Sequence, residues 1–265
     1  MHPFIAAELG DAWSTEAALQ TGLVPLVHQA ADPADTVRAY VGLYLHQEVQ
    51  HEGLVRDIGG FGRFLEALAF SHGAPLNLAA VSRDCEIARK TVDGYLSIIE
   101  DLLVAFRIPV FARAARRELS QHHKFFYFDT GVFRTLRPKG ALDRPGHIEG
   151  AALEGLVAQH LRAWLAYSGR DAHLYHWRTA AGVEVDFVLY GEQVFAAIEV
   201  KSTNRLRRED LAGLEAFGRD YPMAQRWLVY RGNETAVERG VQVVPLEAFL
   251  HGGLAALQAV GGAAN

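Results

Sequence analysis

The spacing of apolar positions changes near residue 140. Before it, apolar residues recur at intervals of three and four, the period of a helix face. After it, short β-rich runs alternate with helical stretches. The first 35 residues carry only short helical signals, near 3–10 and 14–21. From about Pro33, the series Val37, Tyr40, Val41, Tyr44, Leu45 and Val49 predicts a longer helix. Phe61, Phe64, Leu65, Leu68 and Ala69 predict another, stopped by Ser71-His72-Gly73. Asn77 is placed to cap a short helix over 78–81. The next helix, 88–104, turns Val92, Leu96, Ile99 and Leu103 inward. Strand-like content follows at 107–113 and 124–128.

Helix, short helix, longer helix and a two-strand ribbon make the layout of a winged helix. In such a domain the N-terminal residues of the last helix enter the major groove. Here those residues are Arg89, Lys90 and Thr91. The predicted wing from Arg107 to Lys124 holds five Lys or Arg against one acid, Glu118. Within it Arg113, Arg116 and Arg117 are the candidate phosphate contacts.

Turn formers cluster at Arg137-Pro138-Lys139-Gly140 and Arg144-Pro145-Gly146, which suits a linker. The expected division is a helical segment over 1–58, a winged helix-turn-helix over 59–140, and a second domain over 141–265. In the last, a long helix over 148–167 precedes three strand-like runs at 172–177, 183–189 and 194–200. A helix through Leu206, Leu211, Leu214 and Phe217 and a strand over 226–230 come next, then a strand over 241–244 and a helix from Pro245. The α-β-β-β-α-β order predicts an α/β fold with a mixed sheet covered on both faces.

Polar residues inside these apolar strands point to chemistry. Asp186 lies within Val183-Glu184-Val185-Asp186-Phe187-Val188-Leu189, and Glu199 and Lys201 within Ala197-Ile198-Glu199-Val200-Lys201. A carboxylate in so apolar a strand is costly unless a metal, a cation or hydrogen bonds satisfy it. Glu199 and Lys201 are two apart, so a strand points both to one face. Pairing of the two strands through a turn at 190–193 brings Asp186 toward Glu199. Two carboxylates and a lysine then converge, a set suited to Mg²⁺- or Mn²⁺-assisted phosphodiester hydrolysis on a nucleic acid. Glu154, on the long helix, is the fourth candidate.

Asp186 followed by Glu199-Val200-Lys201, after a helical Glu154, resembles the PD-(D/E)XK nuclease signature. That resemblance implies a restriction-endonuclease-like fold. It implies Asp186 and Glu199 as metal ligands with the Val200 carbonyl, Lys201 as the catalytic lysine, and Glu154 as the helical acid. Tyr175-His176-Trp177-Arg178, Gly182-Val183-Glu184-Val185-Asp186-Phe187 and Ile198-Glu199-Val200-Lys201-Ser202 are similar to the C-terminal domain of bacterial and archaeal AAA-type ATP-binding proteins of the domain-of-unknown-function 4143 family. Phe125-Phe126-Tyr127-Phe128-Asp129-Thr130-Gly131-Val132 also resembles that group. The stretches 40–56, 61–68 and 3–11 resemble its helices after the ATPase core, so that 1–58 corresponds to the lid. The chain has no GxxxxGK[ST] loop. It therefore reads as the C-terminal portion of such an ATPase, with no ATPase activity of its own and with a separate or missing ATPase core as a partner. A non-catalytic DNA-binding or regulatory module is the alternative.

Composition narrows the classes further. Half of the 265 residues are apolar, 22% are charged, and the net charge is -5. That excludes a uniformly basic nucleic-acid binder but not a local basic patch. The single cysteine, Cys85, excludes a disulfide framework within the chain and suits a reducing cytoplasm. No apolar run approaches a membrane span. His46 with His51, and His122 with His123, lack zinc spacing. Arg205, Arg207 and Arg208 read as a solvated helix start with Glu209 and Asp210.

Overall fold

The helical and the β-rich portions fold into two units, and the chain passes between them more than once. The structure, a computed structural model, describes residues 2–45, 49, 55–113, 115 and 117–257. The first unit comprises Met1–Phe4, Trp13–Arg107 and Lys124–Leu156, and the second Ile5–Ala12, Ile108–His123 and Val157–Asn265. Together they make a mixed α/β protein. Among the described residues no helix is long and apolar enough to cross a membrane.

In the first unit, helix α1 (Thr15–Thr21) starts at Ser14, whose hydroxyl accepts from the Ala17 N–H at 3.3 Å. A helix over Pro33–Ala39 follows, capped by Asp32 and opened by proline at its first position. The long helix expected to run through Val49 instead widens to a π-helix over Tyr40–Leu45. This change coincides with Gly42, a poor helix former. Most of the stretch beyond, toward the end of that expected helix, lies outside the described residues.

Helix α2 (Ile58–Ala69) buries Phe61, Phe64, Leu65 and Leu68, the stripe its spacing predicts. Strand β1 (Ala74–Pro75) leads to α3 (Leu78–Asp84), where the Asn77 side chain accepts from the N–H groups of Ala79 and Ala80 at 3.1 Å. Helix α4 (Arg89–Asp101) buries Val92, Tyr95, Leu96 and Ile99. Strands β2 (Ala105–Ile108) and β3 (Lys124–Tyr127) complete a three-stranded sheet of order β1-β3-β2. All four residues of β3 are buried.

Asp129 ties this sheet to the N-terminal helices. Its carboxylate caps α5 (Thr130–Leu136) by accepting from Gly131 at 2.8 Å and Val132 at 3.2 Å. It also accepts from the Leu23 N–H at 2.7 Å. Thr130 donates its hydroxyl to the Ala18 carbonyl. Gly131 packs so closely that a Cβ there would lie 2.0 Å from the Thr21 carbonyl oxygen. The Asp-Thr-Gly run is thus a docking device: cap, hydroxyl donor and a residue with no side chain.

Helix α6 (Pro145–Ser168) contributes to both units. The second unit is a six-stranded sheet of order β4-β5-β6-β7-β9-β8. Strands β4 (Ala172–Arg178), β5 (Glu184–Gly191) and β6 (Val194–Lys201) form an antiparallel meander. Helix α7 (Ala212–Asp220) follows β6, and β7 (Gln225–Tyr230) then pairs parallel to β6. Strand β8 (Ala236–Glu238), which periodicity does not show, edges the parallel strand β9 (Val241–Pro245). Helix α8 (Leu246–His251) follows. Trp177, Val188, Leu214, Phe217 and Leu228 build the core between α7 and the sheet.

The connection 108–123 differs most from expectation. It does not stand free between β2 and β3. The Phe111 N–H donates to the His176 carbonyl at 2.7 Å, Ser120 donates to Arg178 at 2.9 Å, and Ala180 donates to Glu118 at 2.9 Å. The segment therefore lies along β4 and covers that strand's outer edge. Phe111 is the cause. It is 1% exposed, and its ring lies 5.2 Å from those of Tyr190 and Tyr221. Burying one such ring contributes roughly 1.5–3 kcal/mol.

Candidate functional site

Asp186 on β5 and Glu199 and Lys201 on β6 come together in the second unit. The last register pair at that end is Phe187 with Ile198, so Asp186 and Glu199 are the next residues of the ladder. Asp186 is 6% exposed and Glu199 5%. The Asp186 carboxylate accepts from the Val200 N–H at 2.9 Å. Lys201 Nζ donates to Glu199 Oε1 at 2.6 Å. The strand's two-residue period puts those partners on one face, as the spacing predicts.

Lys201 is held charged. Burial alone lowers its pKa, but the adjacent Glu199 carboxylate raises it by charge and by hydrogen bonding. Asp186 and then Asp210 add to that, and the balance lies above the ordinary lysine value. Its side chain keeps 31% exposure, so the ammonium is reachable from solvent. Asp210 follows as Arg207 N–H donates to its carboxylate at the start of the turn before α7. Sequence reading missed it as a neighbour of Lys201. The only signal was its acid beside a basic run. Gly213 allows α7 to close on the strands, because a Cβ there would lie 2.1 Å from the Glu184 carbonyl oxygen.

Among the described residues, no three His, Cys, Asp or Glu side chains are grouped to hold a metal. The oxygen donors that the strands do bring together are the carboxylates of Asp186 and Glu199. That set fits a hard cation of the Mg²⁺ type, which takes one or two carboxylates and keeps several waters. It does not fit a zinc centre.

Glu154 belongs to the first unit, where it forms a buried ion pair with Lys124. Lys124 is 3% exposed. His72, 5% exposed, packs nearby and stacks on Phe133. Its Nδ1 accepts from the Tyr127 N–H at 3.1 Å, which places the ring proton on Nε2. Burial pushes its pKa down to about 3. A bond to the Ala151 backbone opposes that, and the Lys124 charge adds to it.

The expected nucleic-acid contacts divide between the units. Arg89, Lys90 and Thr91 are exposed in the first turn of α4, and Arg89 pairs with Asp93 at 3.0 Å. Arg113 and Arg117 lie in the second unit. The Arg113 guanidinium sits 5.0 Å from the Tyr190 ring centroid, and Arg117 holds Asp220 at 2.7 Å. Arg116 lies outside the described residues. Cys85 is buried, and burial raises its pKa, the opposite of an activated thiol.

Residues 149–249 match the family described as Domain of unknown function (DUF4143). Residues 13–143 match another, Domain of unknown function (DUF8612). The Asp186, Glu199 and Lys201 cluster falls within the first match, and Arg89, Lys90 and Thr91 within the second. No curated protein matches the chain.

Proposed function

We propose that the second unit is a metal-dependent nuclease-like module that hydrolyses nucleic-acid phosphodiesters. The observation that carries this reading is the convergence of two buried carboxylates and a charged, partly exposed lysine at the paired ends of β5 and β6. The strand-strand-strand-helix-strand order after α6 supports a restriction-endonuclease-like fold.

In this reading Asp186, Glu199 and the Val200 carbonyl hold a divalent cation. A bound Mg²⁺ or Mn²⁺ supplies Lewis-acid polarisation of a phosphoryl oxygen and acidifies the attacking water. The protein's own residues do the rest. The Val200 N–H fixes the orientation of Asp186. Glu199 keeps Lys201 protonated. The Lys201 ammonium is then placed to meet the negative charge that develops on the phosphoryl group.

The test is cleavage of plasmid and single-stranded DNA with Mg²⁺, with Mn²⁺ and with chelator. Metal-dependent cleavage by the wild type, reduced at least about a hundredfold in Lys201→Ala and Asp186→Asn, is the expected result. Equal cleavage by wild type and Lys201→Ala identifies a contaminant and ends the proposal.

A second reading rests on a separate observation. Arg89, Lys90 and Thr91 are exposed together at the start of α4. The order α2-β1-α3-α4-β2-β3 with sheet order β1-β3-β2 supports a winged helix, in which that helix start reads duplex DNA. Under this reading the first unit binds DNA and the second is regulatory. Duplex binding that persists in Lys201→Ala and falls in Arg89→Ala with Lys90→Ala distinguishes it.

A further inference from the structure

The turn-rich stretch 134–147, which reads as a linker, lines two cavities in the first unit that share Arg137 in their walls. One, of about 320 Å³, is bordered by Phe70, His72, Arg137, Asp143, Arg144 and His147. The other, of about 350 Å³, is bordered by Gln20, Thr21, Arg38, Arg134, Arg137 and Lys139, with no acidic residue in its wall. The 134–147 stretch holds four Lys or Arg against one acid, Asp143, in a chain of net charge -5. The positive charge is therefore local.

Some of that charge is already balanced. Arg38 pairs with Asp35, Arg134 with Glu149, and Arg137 with Asp143. Lys139 and Arg144 are exposed and have no ion pair among the described residues. An aromatic surface lies beside them. Phe70 is 57% exposed, and the Arg137 guanidinium carbon sits 3.6 Å from its ring centroid. A cationic trough next to an exposed ring with an arginine on it is the combination that holds single-stranded nucleic acid: phosphates on the cations, a base on the ring. An acidic peptide needs the cations but not the ring.

We propose that these cavities form a binding trough for single-stranded nucleic acid, centred on Arg137, with Lys139 and Arg144 contacting phosphates and Phe70 stacking a base. The ligand class agrees with the proposed nuclease, and the trough deepens that reading by giving the substrate a second surface. Binding here needs neither metal nor hydrolysis, so the two stand or fall by different measurements.

The experiment is fluorescence anisotropy of a labelled oligothymidylate of about twenty nucleotides, in chelator, over a series of salt concentrations. The full chain is compared with Lys139→Glu/Arg144→Glu and with Phe70→Ala. Circular dichroism and urea midpoints check that the variants fold. The expected result is binding that weakens at least tenfold in the double variant. The slope of log affinity against log salt falls by about 1.4, as two phosphates of the single strand are no longer neutralised. Phe70→Ala loses at least about fivefold with the salt slope unchanged. No binding by the wild type, or binding equal in all three proteins, overturns the proposal. So does competition by polyglutamate as effective as by unlabelled oligonucleotide, which identifies an acidic protein as the partner. Binding without any metal-dependent cleavage removes the nuclease reading and leaves the trough.

Discussion

Lys124 with Glu154 in the first unit and Lys201 with Glu199 in the second are chemically the same pair. Their surroundings differ. The Lys124 side chain, at the start of β3, is 4% exposed, with Phe126 and His72 around it. The Lys201 side chain keeps 31% exposure at the end of β6, and a second carboxylate, Asp186, is next in the ladder. An ion pair whose cation is shut away from water leaves little capacity for a ligand. A pair at a strand end, with one cation in contact with water and a neighbouring acid, has the makings of chemistry. The comparison teaches that residue type alone does not mark a site. What marks it is how much of the bonding capacity the fold leaves to an outside group.

The largest effect that tests this contrast is on stability. Lys124→Met leaves the mostly buried Glu154 without its lysine, and urea unfolding should show a loss of about 3–5 kcal/mol. Lys201→Met should cost less, about 1–3 kcal/mol, because the ammonium it removes is partly hydrated at 31% exposure, although Glu199, whose side chain is 7% exposed, loses its cation. If the two variants lose equal stability, the distinction between sealed and open pairs fails.

A second test uses two buried groups of the first unit that titrate in opposite senses. Burial raises Asp129 to about 6 from 3.8, against three backbone N–H bonds that lower it. A raised acid favours the folded state when protonated. Its contribution is full below pH 3.8 and is lost as pH rises through 6, about 3 kcal/mol in all. His72, lowered to about 3 from 6.5, acts the other way: its contribution is present above pH 6.5 and is lost as pH falls through 3. The wild type should therefore show a shallow stability profile between about pH 4 and pH 6. Asp129→Asn should make stability rise with pH over that window, and His72→Asn should make it fall. Urea midpoints across the window decide the signs.

The open pair should respond to metal. Mg²⁺ at about a hundred times its dissociation constant should stabilise the wild type by about 2.7 kcal/mol. Asp186→Asn should show none of that gain, measured by thermal unfolding with and without the ion. Equal shifts in both proteins place the ion elsewhere. The smallest effect sharpens the same point at the surface. Arg89 and Asp93 are each about half exposed, so Arg89→Ala should change stability by less than about 0.5 kcal/mol. It should nonetheless weaken duplex DNA binding if the helix start reads DNA.

Much of the candidate site's geometry was legible in the strands themselves. Asp186, Glu199 and Lys201 are polar residues in runs too apolar to leave them unsatisfied, and the two-residue period puts Glu199 and Lys201 on one face. Glu154 was not legible in the same way. A carboxylate on a helix has no period-two constraint, and its partner Lys124 lies thirty residues earlier on another element. The segment 108–123 misled for a related reason. Its arginines suggest a solvated wing, whereas Phe111 decides where it goes, by packing among rings of residues 175–221. Charge density is visible along a chain; the pocket that receives a ring is not.

The sequence by itself determined the mixed α/β class and most of the longer helices and strands, because hydrophobic period and capping residues such as Asn77 act within a few residues. It also determined that Glu199 and Lys201 share a face. Tertiary structure alone decided that 108–123 lies along β4, that Glu154 meets Lys124, and that Lys139 and Arg144 border cavities rather than a bare linker. Each of those depends on contacts between distant residues, whose free energy arises only when separate apolar faces find each other and exclude water.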